Sequence, residues 1–330
     1  MNNEIVVSIC CMTFNQKSYI GQTLKSFLNQ QVEFKYEIIV HDDASTDGTT
    51  EILKEFQEKY PDIVKPVYQT VNQYSKGKNI LKDYIIPVSK GTYLAFCEGD
   101  DFWCDKMKLQ RQVDFLNQHK NYSACVHNTS IWNQETNSIN QKINKLDFDV
   151  QNITIEHILK WDANVPFHTS SIVCRKSIFG KELPEFFTIP KSFGDYPLAL
   201  YMAMEGKIYY SNDTMSVYRL LVPNSYSNRI RSINFQIRKE SEKLHMLKEF
   251  NRYSKYQYNG LIEEEILKIE FRLNIEKGDF KKNFLPKYKK IRKEMKIDQR
   301  IKLYIKAYCI QIYRLYCLVN HKKEGGSIFK

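Results

Sequence analysis

Long hydrophobic runs are missing from this chain of 330 residues. None approaches the roughly 20 apolar residues that a bilayer-spanning helix needs. The opening Met1-Asn2-Asn3-Glu4 lacks the basic stretch of a secretory leader, so the expected location is the cytoplasm. No Cys-x-x-Cys pair occurs among the eight cysteines, at 10, 11, 97, 104, 125, 174, 309 and 317. This argues against zinc-ribbon and thioredoxin-like readings. Several of these cysteines sit in apolar runs, where a free thiol behaves as a small hydrophobe, as expected in a reducing compartment. Neither a Gly-x-x-x-x-Gly-Lys-Ser/Thr loop nor a Gly-x-Gly-x-x-Gly fingerprint is present, so any bound phosphate must be held in another way. Internal repeats and a glycine-rich linker are also absent.

What is there suits a soluble globular chain, with 42% hydrophobic and 26% charged residues. The net charge of +11 is unevenly placed. Residues 281–330 hold 15 Lys/Arg against three acids (Glu294, Asp298, Glu324), leaving residues 1–280 at −1. A near-neutral body therefore carries a basic tail.

The first 130 residues alternate strand-like and helix-like patterns. Strands are expected at Ile5–Met12, Tyr36–Val40, Ile63–Tyr68, Thr92–Cys97 and Ala124–Trp132. Helices are expected at Tyr19–Leu28, Thr49–Tyr60, Ile80–Val88 (irregular near Pro87) and Lys106–His119. This order implies a mostly parallel sheet with helices on both faces. Residues 133–152 read as a polar, Asn-rich loop. Short strands follow at Ser170–Cys174, Lys207–Tyr210 and Met215–Leu221, with a helix over Tyr196–Met204. From about 228 onward the pattern is helical and is expected to pack on the body.

Ligands of an open parallel sheet bind beyond the carboxyl ends of its strands. Three polar clusters fall at such ends: Thr13-Phe14-Asn15, the run Asp42-Asp43-Ala44-Ser45-Thr46-Asp47-Gly48, and Glu98-Gly99-Asp100-Asp101. Carboxylates as close as those of the third cluster repel one another unless a cation sits among them, and they suit Mg²⁺ or Mn²⁺. An acidic turn is the plainer reading. Ser45 to Asp47 also suit a helix N-terminus, which leaves Asp42 and Asp43 unexplained.

The stretch from Val7-Ser8-Ile9 to Phe14-Asn15, the run His41 to Thr49, and Glu98-Gly99-Asp100-Asp101-Phe102-Trp103 resemble the family 2 glycosyltransferases, in that order and at similar spacing. The resemblance covers residues 4–225. It implies a GT-A type, Rossmann-like α/β fold whose mostly parallel sheet is flanked by helices. Residues 1–225 would form the catalytic domain (1–130 the nucleotide-binding half, 131–225 the acceptor half), and 226–330 a basic helical extension. It also implies an inverting enzyme that uses a nucleoside-diphosphate donor, a UDP-sugar, and a divalent metal, Mn²⁺ or Mg²⁺. The acceptor would be a saccharide or lipid-linked saccharide of bacterial surface polysaccharide synthesis.

By the same resemblance, Thr13, Phe14 and Asn15 line the nucleotide pocket and Asp43, or else Asp42, meets the base. Asp100 meets ribose and the metal-bound diphosphate, Asp101 ligates the metal directly, and Glu98 holds the leading position of the motif. Lys78 lies where a basic residue approaches the nucleotide, or is a solvated lysine. Phe193-Gly194-Asp195-Tyr196 matches an element at the start of an acceptor-facing helix, making Asp195 the general base or, more plainly, a helix cap. His168 and Trp103 fall on the acceptor side, and His168 also reads as a buried, hydrogen-bonded histidine. Tyr218-Arg219 resembles a late element that often carries a histidine two positions on, where this chain has Leu221.

Two rival functions are a sugar nucleotidyltransferase and a non-catalytic nucleotide-sugar scaffold. The first lacks its glycine-rich phosphate loop here, and the second does not explain the acids at 43, 101 and 195. In the tail, Ile301, Tyr304, Ile305, Tyr308, Ile312, Leu315, Tyr316 and Val319 recur at helical spacing among cations. Residues 300–319 therefore read as a helix on the inner face of the cell membrane, or as one packed on the body or on a second copy in a homo-oligomer. No nucleic-acid module is recognised.

Overall fold

The computed structural model describes residues 4–140, 151–161, 165–180, 182–223 and 225–309. Its N-terminal half runs β1 (Ile5–Thr13), α1 (Lys17–Leu28), β2 (Lys35–Asp42), α2 (Thr49–Lys59), β3 (Val64–Tyr68), β4 (Tyr93–Phe96), β5 (Phe102–Trp103), α3 (Lys108–Gln118) and β6 (Tyr122–Asn133). There follow β7 (Ser138–Asn140), β8 (Asn152–Ile153), α4 (Ile155–Lys160), β9 (Val173–Arg175), α5 (Glu185–Thr188), α6 (Asp195–Glu205) and β10 (Lys207–Leu220). The C-terminal part holds α7 (Tyr226–Arg229), α8 (Ile233–Tyr253), α9 (Asn259–Glu276), α10 (Lys289–Glu294) and α11 (Ile297–Tyr308).

One mixed sheet has the order β3-β2-β1-β4-β9-β6-β10-β5. The first four strands are parallel, as are β6 and β10. The short β9 lies antiparallel between the two parallel blocks. Alternation along the strands sorts the core. Val7, Ile9, Cys11, Ile38 and Val40 face α1, α2 and α3 through Leu24, Phe27, Leu53 and Leu109. Cys10, Ile39, Leu94 and Phe96 join the opposite cluster, which reaches Leu200 of α6, Phe250 of α8 and Ile269 of α9. The C-terminal helices therefore share the main core. A small satellite cluster of Phe271, Tyr288 and Leu303 fixes the basic segment to α9.

Several expected elements take a different form. The two strands expected at 207–210 and 215–221 are one strand, β10, with register shifts around Ser211 and Thr214. Local bonds between Ser211 Oγ and Asp213 bulge the polar midpoint without breaking the ladder. The strand expected from Ser170 begins only at Val173. Thr169–Ser171 is a tight turn, because Ser171 Oγ donates to the His168 carbonyl (2.6 Å) and Ser170 N donates to His168 Nδ1 (3.3 Å). Leu81–Ile85 forms one wide helical turn and Ile86–Val88 a tight one, where Pro87 offers no backbone N–H. Within the loop expected at 133–152, Ser138–Asn140 pairs back on β6 as β7. Ile312, Leu315, Tyr316 and Val319 lie outside the described residues.

Candidate active site

Register places the motifs on one rim. Thr13 pairs with Asp42 at the ends of β1 and β2, and Asp43 N donates to the Thr13 carbonyl (3.0 Å). The acidic loop beyond β4 runs along the same edge, where Gly99 N donates to the Met12 carbonyl (2.9 Å). A Cβ on Gly99 would stand 2.8 Å from the Thr13 Cβ and 2.4 Å from Gln16 Oε1. Glycine is thus what allows the two loops to touch.

The first two clusters are knitted together. Asn15, in the left-handed region at φ 51°, receives a bond from Thr46 N on its Oδ1 (2.8 Å) and donates its own N–H to Ser45 Oγ (2.9 Å). Asp47 accepts from Lys17 N (2.9 Å) and Thr49 N (3.0 Å), so one carboxylate serves the starts of α1 and α2. Asp42 spends its oxygens on Ser45 N (3.1 Å) and Thr50 Oγ1 (2.5 Å). Asp43 accepts from Gln73 N (2.6 Å) and Tyr74 N (3.0 Å), pinning the loop that carries the exposed Lys78. Phe14 is 45% exposed on the rim.

Glu98, Asp100 and Asp101 offer ligand oxygens that all lie within 4.8 Å of one another. Asp101 is fully buried. Its Oδ1 accepts from Arg219 N (2.9 Å), and its Oδ2 has no hydrogen-bond partner. Burial, then the neighbouring Asp100 and Glu98, pushes the Asp101 pKa well up. Burial, with Asp100 and Asp195, raises Glu98 to about 8. Three crowded carboxylates, one with an unpartnered buried oxygen, are a donor set that fits a hard divalent cation.

Asp195 opens α6 and accepts from Tyr196 N (2.8 Å). Its carboxyl reaches solvent, yet crowding by protein raises its pKa. Its charge contributes to the raised pKa of Glu98, after burial and Asp100. His168 is mostly buried, with Nδ1 3.8 Å from Asp101 Oδ2 and its ring 4.4 Å from that of Tyr218. Burial lowers its pKa to about 4, so it is neutral at physiological pH. Trp103, expected on the acceptor side, is instead core. It is 4% exposed, packs on Phe27 (4.6 Å), and donates Nε1–H to the Ser170 carbonyl (2.9 Å). An indole buried and satisfied in this way supports the acidic loop from behind.

Two arginines complete the site. Arg219 is 2% exposed and donates to the Asp100 carbonyl and to Gln22 Oε1. Its guanidinium lies 4.6 Å from the Phe102 ring and 5.2 Å from that of Tyr19. Sequence reading noted Arg219 only as part of a motif. Arg229 was missed. It is exposed on α7, 5.4 Å from the Tyr74 ring, and its charge opposes the pKa rise of Glu98. A lone arginine on a four-residue helix leaves no periodic signal. Leu221, in the place of the family histidine, sits at φ 67° and donates its N–H to Ser227 Oγ (2.8 Å).

Comparison with known proteins matches residues 8–179 to the model of Glycosyl transferase family 2. An uncharacterised protein of Mycobacterium tuberculosis is 31% identical over 217 residues, which is 64% of this chain and 58% of that protein. The chain thus spans under two thirds of that relative. The putative teichuronic acid biosynthesis glycosyltransferase TuaG of Bacillus subtilis is 25% identical over 79% of this chain and 98% of its own length. The Escherichia coli UDP-Glc:alpha-D-GlcNAc-diphosphoundecaprenol beta-1,3-glucosyltransferase WfaP is 32% identical over 35% of this chain and 43% of its own. Among solved structures, S. aureus TarS 1-349 in complex with UDP-GlcNAc shares the fold at TM-score 0.53 and 17% identity, covering 92% of this chain and 87% of that one. The mannosyltransferase PcManGT of Pyrobaculum calidifontis, in complex with GDP-Man and Mn²⁺, does so at 0.53 and 14%, covering 94% and 86%. With its three motifs on one strand-end rim and the family model covering just over half of its length, the chain belongs to glycosyl transferase family 2.

Proposed function

We propose that the chain transfers a sugar, with inversion, from a nucleoside diphosphate to a hydroxyl of a saccharide or lipid-linked saccharide in surface polysaccharide synthesis. The observation that carries this reading is that the Asp43 loop and the acidic loop, with the unpartnered Asp101 Oδ2, both bond to the end of β1. UDP is the favoured nucleotide, on the UDP-GlcNAc bound by TarS and the UDP-Glc donor of WfaP.

Thr13, Phe14 and Asn15 with Asp43 form the nucleotide side, where an aromatic face and a carboxylate acceptor suit a pyrimidine ring. Lys78 and Arg229 supply cations on the same side. Glu98, Asp100 and Asp101 would hold a divalent cation, which when bound supplies positive charge against the departing diphosphate. Asp195 takes the proton of the attacking acceptor hydroxyl on its free carboxylate oxygen. Its raised pKa makes it a stronger base than an ordinary aspartate. One base and one direct displacement give inversion. Neutral His168 and Tyr218 form an apolar-sided wall that keeps water from the sugar. The seven described cysteines are free, which supports a cytoplasmic site of action.

The first test is a panel of nucleotide sugars assayed for metal-dependent hydrolysis and transfer. Asp195→Asn is expected to lower transfer by about 10²–10⁴-fold while UDP binding stays near the wild-type value. Transfer by Asp195→Asn at the wild-type rate would remove Asp195 from the role of base.

A further inference from the structure

Helix α11 turns its larger apolar stripe outward. Ile297, Ile301, Tyr304 and Tyr308 recur at i, i+4, i+7 and i+11 and are 69, 54, 54 and 51% exposed. Only Leu303 and Ala307 are buried on that helix. A helix serving a soluble fold alone keeps its main stripe for the core. Ile297, Ile301 and Tyr304 of the stripe form one wall of an open cleft of about 480 Å³ whose lining also includes Lys289, Arg292, Lys293 and Arg300 but no acid. Lys289, Lys293 and Arg300 form no ion pair among the described residues. Arg292 spends itself on the carbonyls of Asn283 and Leu285. Between residues 281 and 309, eleven Lys/Arg stand against only Glu294 and Asp298.

We propose that this face docks the protein on an anionic lipid bilayer, with α11 lying in the plane of the interface. The isoleucines would enter the boundary between headgroups and acyl chains, the tyrosines would sit at headgroup level, and the cleft cations would meet lipid phosphates. Charge decides among the possible occupants. A second copy would bring an equally cationic face against this one in a two-fold contact. A nucleic acid would neutralise the cations but leave the isoleucine stripe in water. An anionic bilayer satisfies both stripe and charge. The inference goes beyond sugar transfer and does not depend on it.

The test is co-sedimentation of the full chain with vesicles of phosphatidylcholine alone or of an equimolar mixture with phosphatidylglycerol. The wild type is expected to pellet with the anionic vesicles, to stay in solution with the neutral ones, and to be released by high salt. The triple variant Lys289→Gln, Lys293→Gln, Arg300→Gln should lose about five-fold in partitioning per cation. The double variant Ile301→Ser, Tyr304→Ser should bind at least ten-fold more weakly. Both variants alter exposed side chains, and unchanged melting temperature and UDP affinity will show that fold and crevice are intact. Failure of the wild type to pellet with anionic vesicles overturns the proposal, as does equal pelleting of all three proteins. A dimer in light scattering that the double variant splits, with no vesicle binding, would assign the face to a second copy. Tighter binding to a single-stranded oligonucleotide than to vesicles would assign it to nucleic acid.

Discussion

Asp101 Oδ2 lies buried among carboxylates with no donor to meet it, and the acidic loop reaches that position only because Gly99 has no side chain. Gly99→Ala would drive a methyl group into Thr13, a backbone-anchored neighbour, at a cost of about 1–3 kcal/mol. The expected outcome in calorimetry is weakened UDP affinity with a cooperative fold retained. Protons and cations compete at the same trio. Glu98 has its pKa raised from 4.5 to about 8, so the folded state holds extra protons across that window. This group's contribution to the stability of the metal-free protein is therefore lost as pH rises from about 5 to about 8. Thermal melts should show this loss, and Mn²⁺ should raise the melting temperature more at the upper end than at the lower. A Mn²⁺ shift independent of pH would argue that the ion binds elsewhere. The acids themselves were legible in the sequence because residue type and strand-end position together define a hard-oxygen site. Trp103 was not legible, because its place beside the acidic motif does not reveal that its own ring turns into the core.

At the level of elements, α8 and α9 share one polar contact deep inside the fold. Lys243 and Glu265 form an ion pair of 3.3 Å with side chains 1% and 2% exposed, and Lys243 Nζ sits 4.5 Å from the ring of Tyr196, the residue after Asp195. Glu265 Oε1 also lies 3.5 Å from Arg272 Nη2, so loss of Lys243 leaves Glu265 a cation, whereas loss of Glu265 strands the buried Lys243. Glu265→Ala should cost about 3–5 kcal/mol in urea denaturation, while Lys243→Met with Glu265→Leu should be far milder. An equal loss in the single and double variants would show that the pair acts through packing alone. Continuous strands and amphipathic helices in the first 130 residues were legible, since burial on both faces or on one stripe writes a period into the chain. β10 was not, because its bulge places Ser211, Asn212 and Asp213 where a loop would. The turn at Thr169–Ser171 was read as strand for a related reason: serine and histidine side chains bond locally and displace the ladder.

Across the whole molecule, strand order does what no single motif can. β1 lies between β2 and β4, so loops separated by up to about 90 residues in the chain converge beside Thr13. α6 then brings Asp195 within electrostatic reach of Glu98. The motifs on strand ends are visible in the sequence, but only the sheet order and register bring them to one rim. If this rim grips a metal-bound diphosphate, calorimetric titration of UDP into the wild type and Asp101→Ala, each with and without Mn²⁺, reveals it most directly. Tight binding is expected only for the wild type with Mn²⁺, weakened about ten-fold or more when the ion or the carboxylate is removed. Equal UDP affinity in all four titrations would contradict it.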